Sequence, residues 1–319
     1  MLRSSFPTVS RAMSLRPDPI PQDLGVSPGA AADPQAAARA MRAPLRIGVY
    51  DSGVGGLSVL RAIRARLPRA ELLYAADTGF APYGDRPEAD IHERARRVVG
   101  FLRDRGAQVV VIACNTATTV AVGGLRGTGD LPPIVGVEPG VKPAVAMSAT
   151  GRVGVLATTR TVTSDKLRRL VQAHGGGARI LLQACPGLAD TLESVDAGDP
   201  ALAALVERYS APLREAGVDV AVLGCTHYVF ARALFERALP GVRLVDTADA
   251  VARQTARVAA EVDERVELAV AAAAEPPPSG AAFADGPALQ AFSSGDPDVL
   301  AGFARRWLAW RVDVRAMDC

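Results

Sequence analysis

The sequence predicts an α/β protein built of two pseudo-symmetric, doubly wound parallel-sheet domains that face one cleft. Three observations carry that expectation. Short apolar runs alternate with stretches of helical periodicity, the pattern of successive βα units. One run, VVVIAC at 109–114, is apolar throughout, as a strand buried on both faces requires. The strand-turn-helix order of the first half then returns in the second, and an internal repeat of that size implies two similar domains.

The elements follow in order. LRIGVY (45–50) reads as a strand running into the glycine-rich turn DSGVGG, and LSVLRAIRARL (57–67) has helical spacing. ELLYAAD (71–77) is a second strand, and residues 89–106 form a helix with Gly106 just past its end. AQVVVIACNTAT (107–118) carries the third strand. GRVGVLATTRTVTSDKLRRLVQAHG (151–175) repeats the opening unit, and 213–229 repeats 102–118: Leu102, Arg103, Gly106, Val109 and Cys114 recur as Leu213, Arg214, Gly217, Val220 and Cys225. Residues 242–262 read as a strand and a long helix, 271–282 as a flexible or polyproline-like linker, and 291–310 as a strand-turn-helix unit with Trp307 and Trp310 on one helical face. The expected division is a disordered extension at 1–44, a first domain at 45–140 completed by about 241–262, a second at 141–240, and a linker with a strand-helix extension at 271–319.

Residues 1–44 are rich in Ala, Pro, Ser and Arg and lack periodicity. They read as a disordered extension or a start codon placed too early, with Met13 or Met41 the true start. The acid-poor first 16 residues faintly resemble a transit peptide, and no apolar core of a secretory signal is present.

Composition narrows the function. Half of the chain is hydrophobic, 22% is charged and the net charge is +2, which offers no argument for nucleic acid. No apolar run reaches the roughly 18–20 residues of a membrane span. The four cysteines, Cys114, Cys185, Cys225 and Cys319, are widely spaced without a C-x-x-C pair, which argues against zinc and against a disulfide framework. Lys142 and Lys166 are the only lysines, a poor supply for a Schiff-base cofactor.

Cys114 and Cys225 fall at the carboxyl ends of repeated strands, where open α/β sheets bind ligands. Each precedes hydroxyl or amide side chains and an expected helix start, which favours an anion and lowers a thiol's pKa. Two such thiols across one cleft suit proton removal from one face of a carbon and delivery to the other, which inverts a stereocentre. The rival reading is two buried strand-end cysteines, since free cysteine packs as a small hydrophobe. Cys185 before Pro186 reads as packing, Cys319 as incidental, and His92 and His174 as surface residues.

The stretches DSGVGGLSV (51–59), APYGDRP (81–87), CNTAT (114–118), GVEPGVKPA (136–144), GVLAT (154–158), CPGLADTLE (185–193) and LGCTHY (223–228) together resemble the cofactor-independent glutamate racemases of the aspartate/glutamate racemase superfamily. The resemblance implies that Cys114 and Cys225 are the acid/base thiols, acting on the D- and L-glutamate protons respectively. It implies Asp51 as assistant to Cys114, with Glu193 and His227 assisting Cys225. Asp51, Ser52, Tyr83, Gly84, Asn115, Thr116, Thr226 and His227 would hold the substrate. It further implies glutamate as small-molecule substrate, no cofactor or metal, no nucleic acid or membrane partner, a cytoplasmic enzyme supplying D-glutamate for peptidoglycan, and leaves a homodimer open. Read by themselves, Asp51 could cap its turn, His227 could be a satisfied structural histidine, and Glu193 a solvated helical residue. Asp85, Ala157 and Val229 depart from the usual family pattern. Racemisation of aspartate or another amino acid, and a non-catalytic amino-acid-binding module, are the alternatives.

Overall fold

β1 (Arg46–Asp51) is buried along almost its whole length because it lies between β2 (Glu71–Ala76) and β3 (Val109–Ile112), both parallel to it, with helices on either face. Alternate residues serve the two faces: Ile47 and Val49 join one apolar cluster, Tyr50 the other. The computed structural model describes residues 44–264 and 289–319, and all of these belong to one compact unit, Ala43–Cys319. The expected extension at 1–44 and the linker at 271–282 lie outside the described residues, save Pro44.

Two parallel sheets organise that unit. The first has the order β10-β9-β2-β1-β3-β4, with β4 at Ile134–Gly136, β9 at Leu289–Ser293 and β10 at Val314–Ala316. The second has the order β6-β5-β7-β8, with β5 at Arg152–Ala157, β6 at Arg179–Ala184, β7 at Val220–Leu223 and β8 at Arg243–Val245. The helices α1 (Leu57–Arg66), α2 (Glu88–Asp104), α3 (Asn115–Leu125) and α4 (Val141–Met147) precede the second sheet. Then come α5 (Thr159–Thr163), α6 (Asp165–His174), α7 (Leu188–Ser194), α8 (Pro200–Glu215) and α9 (Arg232–Ala238). Last are α10 (Ala248–Val262), which packs on α1, and α11 (Pro297–Leu308).

The internal repeat has a physical content that residue identity only hints at. Gly48 in β1 and Gly154 in β5 lack a Cβ because α2 and α8 press against them: an added Cβ would lie 3.0–3.1 Å from Leu102 and 2.5–2.8 Å from Leu213, respectively. Gly106 and Gly217 end those helices with φ of 83° and 65°, a conformation in which other residues are strained. The following strands then start with matched bonds, Gln108 N–H to Arg46 O (2.8 Å) and Asp219 N–H to Arg152 O (3.1 Å). They end with matched bonds as well, Ala113 N–H to Tyr50 O and Gly224 N–H to Leu156 O, both 2.7 Å.

Three expectations are corrected. A helix begins directly after Cys114, but after Cys225 the chain makes successive turns, such as Phe230 N–H to His227 O (3.0 Å), and α9 starts only at Arg232. Trp310 does not share a helical face with Trp307: α11 ends at Leu308, Ala309 turns left-handed (φ 56°), and Trp310 packs into the core beyond it. The segment after the linker does not stop at a strand and helix: β9 pairs with β2, and the short β10 adds one more parallel strand at the edge.

Gly154→Ala is expected to destabilise the fold by about 1–3 kcal/mol through overpacking against Leu213. Gly198→Ala, where nothing lies within 4 Å of the new methyl, is expected to stay within about 0.5 kcal/mol of the parent. Urea unfolding midpoints compare the two.

Candidate active site

All pairings within both sheets are parallel, so the carboxyl ends of β1, β3, β5 and β7 each gather on one side of their sheet. The residues just past those ends meet in a single cavity of about 120 Å³, lined by Ser52, Tyr83, Cys114, Asn115, Cys225 and His227 among others. That volume suits a small metabolite and is well below a drug-sized pocket. Gly84, Thr116, Glu193 and Thr226 line it too, so the structure brings every expected site residue to the cavity except Asp51, which sits one layer behind. None of the described lining residues is lysine or arginine.

The turn DSGVGG is where the two sheets touch, and its glycines are there to make room. A Cβ on Gly53 would collide with the Glu193 carboxylate. On Gly55 it would lie 2.5 Å from both His227 Nδ1 and Thr226 Oγ1, and on Gly56 2.7 Å from Asp51 Cβ. The glycine run therefore seats three polar side chains of the other lobe. Hydrogen bonds complete the seat. Thr226 Oγ1 donates to Asp51 Oδ2 (3.2 Å), Ser58 Oγ to Thr226 O (3.2 Å), and Val54 N–H to Glu193 Oε1 (3.3 Å). Asp51 Oδ1 accepts from Gly53 N–H at 2.8 Å, so this carboxylate does cap its turn as well as brace the cavity.

Cys114 caps α3: its sulfur accepts from Ala117 N–H (3.4 Å) and lies 3.1 Å from Ser52 Oγ. The expectation of a thiol shifted towards neutrality does not hold here. Burial, reinforced by the negative charge of Asp51, pushes Cys114 up to about 11, and the helix N–H and Ser52 only partly offset it. Burial also raises Asp51, against the pull of His227 and the Gly53 N–H.

Cys225 sits in a different field. His227 Nδ1 lies 3.7 Å from its sulfur, while Nε2 is 2.6 Å from Glu193 Oε1. Burial alone would discharge the ring, but its bonds and charge interactions with Cys225 and Glu193 outweigh burial and raise His227 well above the ordinary histidine value. Burial likewise opposes the charged Glu193, and the bond to His227 overcomes it, so Glu193 is lowered. The pair is an imidazolium–carboxylate couple beside the second thiol. Glu193 is thus not the solvated helical residue its sequence context allowed.

Other groups take places that sequence reasoning did not assign. Tyr83 uses its hydroxyl inward, donating to Asp77 Oδ2 (2.5 Å) and meeting Tyr50 OH at 2.7 Å. Arg94 grips the same Asp77 through Nε (3.0 Å) and Nη2 (2.5 Å), and its Nη1 donates to the main-chain oxygen of Cys319. Cys185 is buried as expected, but it also lines the cavity; burial and the nearby Cys225 push it up to about 12. The signal that could have found Asp77 was its position at the end of β2. Nothing in the sequence marked Arg94 or the 185–225 proximity. His92 and His174 are half-buried and away from the cavity.

Asn115 stands out energetically. Both its Oδ1 and Nδ2 are buried at the cavity without a protein partner. An unsatisfied buried polar group costs about 1–3 kcal/mol, so this amide is held ready for a polar ligand. Thr116 Oγ1 and Thr158 Oγ1 approach to 3.4 Å from opposite lobes beside it.

The His227–Glu193 couple has a pH signature. A raised histidine stabilises the fold fully below about 6.5 and loses that contribution as pH rises through the folded value; a lowered glutamate loses its contribution as pH falls below about 4.3. Glu193→Gln is expected to bring the His227 titration down towards its ordinary value in an NMR titration. Its stability deficit against the parent should be greatest between those two limits and shrink as pH rises.

Comparison with known proteins agrees with this geometry. The family model for Asp/Glu/Hydantoin racemase matches residues 57–255. A glutamate racemase from Pseudomonas entomophila (strain L48) is 44% identical over 257 residues, which cover 80% of this chain and 90% of that protein. A glutamate racemase from Methylococcus capsulatus is 50% identical over 212 residues, or 66% of this chain and 78% of that protein. Among solved structures, Escherichia coli glutamate racemase in complex with L-glutamate and the activator UDP-MurNAc-ala superposes with a TM-score of 0.71 at 31% identity, covering 86% of this chain and 98% of that one. Glutamate racemase from Thermus thermophilus in complex with beta-chloro-D-alanine gives 0.68 at 35%, covering 86% and 97%. With two like sheets, a shared cavity and relatives of this similarity, the chain belongs to the Asp/Glu/Hydantoin racemase family.

Proposed function

We propose that the protein is a cofactor-independent glutamate racemase that interconverts L- and D-glutamate with two thiols, and that it supplies D-glutamate for peptidoglycan in the cytoplasm. The observation that carries this reading is the placement of Cys114 and Cys225, from equivalent strand ends of two related sheets, on one small cavity. The relatives' names supply the substrate.

In the forward direction one cysteine is a thiolate and the other a thiol. The thiolate takes the α-proton; the C–H electron pair stays on the α-carbon and spreads into the carboxylate. The opposite thiol delivers its proton to the far face and becomes the thiolate. Atoms and charge balance without an added group. Cys225 takes the proton of L-glutamate, beside the His227 ring that Glu193 holds in place. Cys114 takes the proton of D-glutamate. Its elevated value, about 11, makes its thiolate a strong base, and the substrate ammonium beside it favours ionisation on binding. Asp51 acts on Cys114 through its charge and through Thr226, which it anchors. Ser52, Tyr83, Gly84, Asn115, Thr116 and Thr226 hold the amino and carboxylate groups through hydroxyl, amide and backbone groups, a neutral cage that also stabilises charge developing at the α-carbon.

Incubation with L-glutamate in EDTA, without added pyridoxal phosphate, is expected to produce D-glutamate on a chiral column. Aspartate should be a poor substrate. No D-glutamate, or loss of activity that metal restores, overturns the reading. Faster turnover of aspartate reassigns the substrate.

The two thiols are expected to be separable. Serine is far less acidic than a thiol near 8.5, so Cys114→Ser and Cys225→Ser should each lower racemisation by orders of magnitude. With a substrate carrying a leaving group at the β-carbon, elimination needs only the abstracting base. Cys114→Ser should still eliminate from the L-isomer and lose the D-isomer reaction, and Cys225→Ser should do the reverse. Equal loss of both eliminations in both variants contradicts the two-thiol mechanism.

A further inference from the structure

Arg160 lies on α5, just past the end of β5, in the lobe of the second sheet. Its guanidinium reaches into the lobe of the first sheet. Nε donates to the carbonyl of Gly84 (3.1 Å), Nη2 donates to the carbonyl of Arg86 (2.6 Å), and Nη1 lies 3.7 Å from Glu88 Oε1. All three nitrogens are therefore directed at one short segment, the 3-10 turn Tyr83–Asp85 and the residues that follow it.

That segment has two very different sides. Below, Tyr83 is anchored by its hydroxyl to Asp77 and Tyr50. Above, Arg86 Nε donates to Phe80 O (2.5 Å) within the same lobe, but Gly84 itself faces open space: a Cβ there would meet nothing within 4 Å. The backbone bond that closes the turn, Arg86 N–H to Tyr83 O, is a long 3.3 Å. The carbonyls of this turn are instead held from across the cavity by Arg160. Other bonds between the lobes run through residues 51–58 and through Arg306, whose Nη2 donates to Glu193 O (2.6 Å), none of which touches this turn, and the Thr116–Thr158 contact at 3.4 Å is weak. Charge-assisted bonds to carbonyl oxygens are stronger than neutral ones, and a planar fork can take two acceptors at fixed spacing where a single ammonium cannot.

We infer that Arg160 is a positioning residue: it docks the Tyr83–Gly84 turn onto the second lobe, and so sets both the shape of the substrate cavity and the access of solutes to the two thiols. The part concerning substrate rests on the racemase reading above; the part concerning access does not. Glu88 adds little, because its side chain is 74% exposed and exposed pairs contribute weakly.

The test uses the full chain with Arg160→Ala, Arg160→Lys and Glu88→Gln. Cys114 and Cys225 are 7% and 8% exposed, so iodoacetamide should alkylate them slowly in the parent, as followed by peptide mass spectrometry. Both Arg160 variants are expected to raise the alkylation rate and the KM for both glutamate enantiomers about tenfold, the scale of losing one charge-assisted hydrogen bond. Turnover at saturation should stay within about threefold, a loss of binding rather than of the chemical step. Glu88→Gln should match the parent. The inference is overturned if Arg160→Ala leaves alkylation and KM unchanged, or if Arg160→Lys behaves as the parent, which would reduce the role to charge. Faster alkylation together with a parent that fails to racemise glutamate would retain the docking role and reject the functional reading.

Discussion

Two sheets can share one cavity only if the ends of their central strands approach closely, and in this protein that approach depends on the missing side chains of one glycine-rich turn. Gly53, Gly55 and Gly56 leave the space that Glu193, His227 and Thr226 occupy, together with the Asp51 side chain itself. The polar atoms brought into that space are paired there, Thr226 with Asp51 and Glu193 with both Val54 N–H and His227. Pairing is required, because a carboxylate buried without a partner costs far more than the apolar contact it displaces. A methyl on Gly53 or Gly55 would press on the other lobe and strand the same groups, and one on Gly56 would displace Asp51. The turn, the polar groups seated against it and the width of the cavity are thus one constraint seen from three sides.

The same junction makes the site electrostatically unequal. The two thiols come from repeated sequence and equivalent strand ends, yet Cys114 faces a buried carboxylate and a serine hydroxyl, while Cys225 faces an imidazolium held by a carboxylate. Pseudo-symmetry in the backbone therefore does not carry over to the chemistry. The cause is local: a regular helix starts directly behind Cys114, so its sulfur caps backbone N–H, whereas turns follow Cys225 and fold His227 back towards it.

Much of this is legible in the sequence where the signal is local or repeated. The fully apolar β3, the glycines at helix ends and the recurrence of 102–118 at 213–229 all reflect backbone requirements that few residue types meet. The site residues on the strand ends are legible for the same reason, since parallel sheets gather those ends. What is not legible depends on distant partners. Asp77 and Arg94 are 17 positions apart in sequence, and Arg94 reaches Cys319 across 225. The Cys114 thiol departs from expectation because a helix terminus can be read from sequence but the depth of burial that overrides it cannot. Trp310 leaves the helical face because Ala309, a good helix former, takes a left-handed conformation that residue type does not forecast.

The absence of arginine and lysine from the described cavity lining bears on how the proposed reaction would work. A fixed cation beside a thiol stabilises the thiolate, but it also weakens that thiolate as a base, and proton abstraction from carbon needs a strong one. A lining of hydroxyls, an amide and backbone groups holds an amino acid without that penalty. Burial keeps Cys114 basic, and only Cys225 has a cation near it, one shared with Glu193. Arg160 fits the same logic from outside: its charge is spent on the carbonyls of Gly84 and Arg86, so it can draw the walls of the cavity together while its guanidinium stays out of the reacting centre. The charge of Arg160 thus shapes the container, while among the described lining residues the one cation at the cavity itself is the His227 ring that Glu193 holds.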